Sequence, residues 1–239
     1  MPDHAAPQRP AEYAEETLVT AIVDGTYPPG ETLPGERRLA KELGITRPTL
    51  REALQRLARD GWLTIQHGKP TVDNDFWREG GLNVLDTLVR YNLRLPGTFV
   101  LDLLEVRRAM APAYTRAAVS HAPDAVRAHL RGYTTLAASP DAYAAFDWTL
   151  HHTLTLASGN PIYPLILNGF AGFYEQMARR YFASQEARAA SSAFYGALLD
   201  TVDHGDADAA EQITREVMQK STALWRELDA ADTMEDSKD

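Results

Sequence analysis

Thr46, Arg47, Thr49, Arg51 and Arg56 crowd one short amphipathic stretch, and their side chains are the kind that hydrogen-bond anions and base edges. Leu50, Ala53, Leu54 and Leu57 form a single apolar stripe there at helical spacing, so the arginines and Thr49 mostly face elsewhere. Thr46 is placed to cap this helix, and Pro48 falls in its first turn, where a missing N–H is no loss. The helix start then offers orphan N–H groups, hydroxyls and guanidinium forks to phosphates or to guanine in the major groove. What separates it from an ordinary charged surface is the turn before it. Leu39, Ala40 and Leu43 lie at helical spacing, Gly44 supplies the left-handed residue that ends a helix, and Ile45 returns to the core. Two short helices meeting around a glycine form a helix-turn-helix.

Directly after it, Trp62 to Ile65 and Pro70 to Val72 read as two strands joined through Gln66, His67, Gly68 and Lys69. A slim tip bearing histidine, glycine and lysine beside a recognition helix is read as a wing. The chain as a whole carries a net charge of −9, which opposes duplex binding. Local charge reverses this: from Gly35 to Pro70 eight Lys and Arg face four Asp and Glu, a net of +4.

Further along, two ionisable residues sit on apolar faces. Val100, Leu103, Leu104, Arg107, Met110, Ala111 and Tyr114 follow i, i+3, i+4, i+7 spacing, which turns Arg107 inward. Tyr143, Phe146, Asp147, Leu150 and Leu154 do the same for Asp147. An unpaired buried charge is rarely kept. Either Arg107 and Asp147 pair with each other, or they line a polar cavity where Arg107 awaits an anionic ligand. Asp147 and His151, four apart, can also share one metal ion. Two ligands do not complete a site, and His121, His129, His152 and His204 are scattered. A helical metalloenzyme centred on these residues is an alternative, but no nucleophile, base and orienter triad accompanies them.

The elements that must position these groups are almost all helices. Helical faces recur over residues 82–91, 98–119, 124–137, 142–156, 161–182, 185–202 and 207–228, and Ser158-Gly159-Asn160-Pro161 punctuates them clearly. The expected fold is mainly α: an N-terminal winged helix-turn-helix with a small β-hairpin, residues 1–76, a linker at 77–81, an all-helical bundle at 82–232 and a polar tail at 233–239. A chain of 239 residues with 44% hydrophobic content suits two modest domains. The absence of cysteine leaves no disulfide framework and no thiolate chemistry. MPDHAAPQRP at the start has no apolar signal-type core, and no apolar run approaches a membrane span, so a cytoplasmic protein without a membrane partner is expected.

The run YPPGETLPGERRLAKELGITRPTLREALQRLARDGWL resembles the DNA-binding domain of the GntR superfamily, and the helical half resembles its FadR-type ligand-binding domain. RLARDGWLTIQHGKPT at 56–71, Asn74-Asp75-Phe76-Trp77, ASGNPIY at 157–163, LILNG at 165–169 and the spacing of Arg107 to Arg215 and Trp225 are similar to the fatty-acid-responsive FadR regulators. The resemblance implies a homodimeric transcription regulator of fatty acid metabolism, without a cofactor, that leaves a palindromic double-stranded DNA operator when a long-chain fatty acyl-CoA binds. It implies DNA contacts from Arg37, Thr46, Arg47, Thr49, Arg51, His67 and Gly68, and an acyl-CoA site at Arg107, Tyr181, Arg215, Ser221 and Trp225. Many related regulators hold a metal through one aspartate and three histidines. Asp147 and His151 match the first two, but Gly196 and Gln219 stand at the later positions, which disfavours metal. Pro48, Val217 and Met218 also depart from the nearest pattern, which sets the head-group contacts apart. The alternative within regulation is a repressor that senses a small carboxylate, with metal at Asp147 and His151.

Overall fold

The computed structural model describes residues 9–91 and 97–236, with side chains as far as residue 230. The chain divides into two compact units, Met1–Arg94 and Leu95–Asp239.

In the first unit, α1 (Pro10–Val23) packs on α3 (Arg47–Asp60) and buries Ala14, Leu18, Val19 and Ile22. No element is expected there from the sequence. Proline in its first turn starts it, yet its stripe mixes alanines with larger residues and gives weak contrast. α2 (Glu36–Glu42) and α3 meet at Gly44, whose φ of +67° is the left-handed conformation expected of the turn. The hairpin is shorter than expected: β1 (Leu63–Thr64) and β2 (Val72–Asp73) pair antiparallel, with Leu63 opposite Asp73 and Thr64 opposite Val72. Pro70 brings no N–H to a ladder, and the Asn74 side chain closes the base by accepting from the Thr64 hydroxyl at 2.8 Å and donating to the Gly61 carbonyl at 3.1 Å. Thr32 adds a bridge to Val72.

α4 (Phe76–Glu79) and α5 (Asn83–Arg90) follow and belong to this unit. Phe76 stacks on the fully buried Trp62 with ring centres 4.6 Å apart. Gly61 ends α3 at φ +92°, and a Cβ there would lie 2.8 Å from the Gly80 Cα. A Cβ on Gly80 would in turn lie 2.6 Å from a Val84 methyl. The two backbones approach too closely for side chains.

The described part of the second unit is helical: α6 (Phe99–His121), α7 (Pro123–Leu130), α8 (Pro140–Ala157), α9 (Ile162–Asn168), α10 (Ala171–Ala183), α11 (Gln185–His204) and α12 (Ala207–Asp236). Three boundaries differ from the sequence reading. The helix expected over 124–137 ends at Leu130 and continues as a tighter 3₁₀ turn, Arg131–Thr135. That expected over 161–182 breaks at Gly169-Phe170 into α9 and α10. α12 continues past Leu228 to Asp236, so the tail at 233–239 begins as helix; residues 237–239 lie outside the described residues. α6 packs chiefly on α12, and α8 lies against α6, α7 and α10. Leu130, Leu150, Leu154, Phe182, Tyr195 and Leu198 fill the core between them.

Candidate functional site

The first site is the face of α3 and the hairpin tip. Thr46 caps α3 as expected: its side-chain oxygen accepts from the Thr49 N–H at 3.3 Å, and the two hydroxyls stand 2.8 Å apart. Arg47 and Arg51 project from the first turns of α3 and are mostly exposed, as is Arg37 on α2. His67 and Gly68 sit at the exposed tip between β1 and β2. The apolar stripe explains the orientation, because Leu50, Ala53, Leu54 and Leu57 are all buried on the opposite side of α3.

Glu36, one of the four local negative charges, holds two of these arginines. Arg51 Nε lies 2.7 Å from Glu36 Oε2 and Arg47 Nη2 lies 3.7 Å from the same oxygen. Glu36 opens α2, where the helix N-terminus favours a carboxylate. Two of the cations aimed outward are thus part-neutralised in the free chain.

The second site is a cavity of about 120 Å³ among the helices of the second unit. Leu103, Leu104, Met110, Ile166, Phe170 and Phe173 give it largely apolar walls. Arg107, Asp147, His151, Tyr181, Ser221 and Trp225 line it as well. Four of the five residues implied for ligand binding therefore meet at one place. The fifth, Arg215, is not among the lining residues and pairs with Glu211 at 2.7 Å on the surface.

Asp147, only 5% exposed, organises the polar part. Arg107 Nη2 donates to its Oδ2 at 2.6 Å, the Tyr174 hydroxyl donates to the same oxygen at 2.5 Å, and the Tyr195 hydroxyl donates to Oδ1 at 2.9 Å. Of the two readings left open by sequence, the pairing is realised, and Arg107 still reaches the cavity wall. Burial pushes the Asp147 carboxyl up, but the adjacent Arg107 charge, with His151 and the Tyr174 hydroxyl, outweighs it and holds the group at about 2. Burial, with the Arg107 charge, depresses His151 to about 3, so its imidazole is neutral near pH 7. His151 Nδ1 bonds the Tyr114 hydroxyl at 2.7 Å, and its Nε2 stands 3.8 Å from Asp147 Oδ2.

Tyr114 was visible on the α6 stripe, but the parts played by Tyr174 and Tyr195 were missed. Phe170, Phe173, Tyr174, Met177 and Tyr181 repeat at helical spacing, and that stripe was the available signal. At the far wall the Tyr181 hydroxyl bonds Ser221 at 3.2 Å, and the Arg180 guanidinium lies 4.9 Å from the Trp225 ring centre, a cation–π contact.

The donor set does not fit a metal. Among the described residues no three His, Cys, Asp or Glu side chains converge for one. A Cβ on Gly196 would lie 3.0 Å from the Tyr133 hydroxyl, which occupies the space that a longer side chain needs. Gln219 faces a separate polar groove beside Asp102, Arg108 and Arg226. His121 bonds the Ser158 carbonyl at 2.9 Å and His129 the Phe146 carbonyl at 3.2 Å, both structural uses. Among the described residues no helix is long and apolar enough to cross a membrane.

Residues 10–72 match the family model for bacterial regulatory proteins of the gntR family, and residues 74–236 match that of the FadR C-terminal domain. The chain is 45% identical over 222 residues to the fatty acid metabolism regulator protein of Shewanella frigidimarina, covering 92% of each chain. It is 43% identical over 224 residues to the protein of that name from Pectobacterium atrosepticum, covering 94% of each. Among solved structures, Lar, which controls expression of the Listeria monocytogenes agr system, aligns with a TM-score of 0.59 over 92% of this chain and 98% of that one. At 17% identity this likeness speaks to the fold alone.

Proposed function

The chain belongs to the gntR family of bacterial regulatory proteins, with a FadR C-terminal domain, and is a transcription regulator rather than an enzyme; from this premise we propose that it regulates fatty acid metabolism, binding an operator until a long-chain fatty acyl-CoA enters the helical cavity. The observation that carries the reading is the cavity itself, apolar along most of its wall and lined by Arg107, Tyr181, Ser221 and Trp225. Apolar walls suit an acyl chain, while Arg107 on the cavity wall and Arg180, which lies over Trp225 and pairs with Asp229 at 3.2 Å, bring positive charge suited to the anionic CoA portion. Arg37, Thr46, Arg47, Thr49 and Arg51, with His67 and Gly68 of the wing, contact DNA in this reading. A homodimer then places two recognition helices on a palindrome.

Ligand and operator act against each other through linkage: if acyl-CoA lowers operator affinity by some factor, operator lowers acyl-CoA affinity by the same factor. Titration calorimetry with acyl-CoAs of increasing length, run beside operator-release assays, tests this. Affinity should rise by about 0.8 kcal/mol per buried methylene until the cavity is full. The double variant Arg107→Met, Asp147→Leu, which removes the guanidinium without leaving a lone buried carboxylate, should keep operator binding and blunt release. Absence of heat at every chain length, or release indifferent to length, rejects acyl-CoA as the effector.

A further inference from the structure

Within the cavity one polar atom has no use in the fold. Among the described side chains that line it, His151 Nε2 is the buried nitrogen or oxygen atom without a hydrogen-bond partner, and the residue is only 1% exposed. Its neighbour cannot serve it. Asp147 Oδ2 lies 3.8 Å away, beyond hydrogen-bond reach, and already accepts from Arg107 and Tyr174. The rest of the network is otherwise closed: Asp147 takes three donors, and Tyr114 takes Nδ1.

The same network sets which ring nitrogen carries the proton. Burial keeps the Tyr114 phenol protonated at neutral pH, and Arg107, which brings donors and no acceptor, faces its oxygen. The phenol proton therefore turns to His151 Nδ1, and Nε2 bears the hydrogen. A neutral N–H donor is left lining an apolar cavity. A saturated acyl chain passing it offers no acceptor, while a hydroxyl or keto oxygen on the chain completes the bond. A buried donor left unpaired by one ligand and satisfied by another is the arrangement that discriminates most strongly between otherwise equal substrates.

We infer that His151 selects an oxygen-bearing acyl chain: the preferred effector is a long acyl group carrying a hydroxyl or keto oxygen that accepts from Nε2–H. This rests on the acyl-CoA reading and narrows its ligand class. Tyr114 acts as a positioning residue, fixing the tautomer.

The test is equilibrium titration of the full-length protein with palmitoyl-CoA and with positional isomers of hydroxypalmitoyl-CoA, the hydroxyl near the thioester, at successive mid-chain carbons or at the terminus. At least one isomer should bind about tenfold or more tightly than palmitoyl-CoA. His151→Leu should bring the affinity ratio between that compound and palmitoyl-CoA to about one, and His151→Gln, which keeps an N–H donor, should restore part of the ratio. Palmitoyl-CoA binding at least as tightly as every isomer overturns the inference and leaves the acyl-CoA reading standing. So does uniform weakening of all ligands in His151→Leu, which would place the thioester carbonyl at Nε2. If His151→Leu does not fold, the wild-type isomer series alone decides. Failure of every acyl-CoA to bind overturns both readings.

Discussion

Arg107 and Asp147, forty positions apart on α6 and α8, meet at 2.6 Å beside an apolar cavity. The contact joins the wall of the cavity to the packing of α6 against α8, with Tyr174 of α10 and Tyr195 of α11 on the same carboxylate.

Removing the Arg107 charge leaves Asp147, a buried carboxylate, without its cation, whereas Arg107 itself is only partly buried. Arg107→Met should destabilise the second unit by about 3 kcal/mol, and adding Asp147→Leu should recover most of the loss. Urea denaturation followed by circular dichroism measures both. A single variant as stable as wild type would show that the pair contributes nothing to the fold.

Glu36 restrains Arg51 at 2.7 Å and Arg47 at 3.7 Å. Glu36→Gln should strengthen binding to random duplex DNA and steepen the fall of affinity with salt, because more phosphate charge can be neutralised. Arg47→Ala should lose about 1 to 3 kcal/mol on the operator but little on random duplex if it reads guanine. Fluorescence anisotropy over a salt series separates the two effects; unchanged random-duplex affinity in Glu36→Gln argues against the restraint.

Asp73 on β2 is 1% exposed, and neither carboxylate oxygen has a hydrogen-bond partner. Burial, with the nearby Asp75 charge adding to it, pushes its pKa from 3.8 to about 6. The folded unit therefore holds this proton more tightly than the unfolded chain. Its stabilising contribution is full below about pH 3.8 and is lost as pH rises through about 6. Asp73→Asn should match wild type near pH 4 and exceed it by of order 1 to 3 kcal/mol near pH 8. Thermal melts across that range check it, and a pH-independent difference between the two proteins would refute it.

Asp147 and His151 offer two donors, with Nε2 and Oδ2 3.8 Å apart. Chelator treatment should leave the melting temperature and operator affinity unchanged. Stoichiometric zinc or nickel surviving dialysis would instead restore the small-carboxylate reading.

α3 and the turn before it were legible because stripe, cap and glycine are all local signals. Arg107 and Asp147 were legible because a charge on an apolar face violates its surroundings, and His151 because it follows Asp147 by one helical turn. Tyr174 and Tyr195 were not, since a tyrosine on an apolar face looks like ordinary core, and only the fold reveals that its hydroxyl points at a carboxylate. Gly169 gave no stop signal strong enough to split α9 from α10, because its φ of −64° is ordinary helical backbone. Arg215 matched a family spacing but turns to Glu211 on the surface, a matter of helix rotation that spacing alone does not resolve.

The back-to-back glycines at the end of α3 carry a genetic consequence. Gly61 and Gly80 crowd each other so closely that a methyl group at either one displaces backbone or Val84. A Cβ on Gly61 meets the Gly80 backbone and one on Gly80 meets the Phe76 carbonyl, so neither position can take alanine without moving backbone. A random screen for lost operator binding should therefore recover alleles at both codons, remote from any base, beside those in the recognition helix.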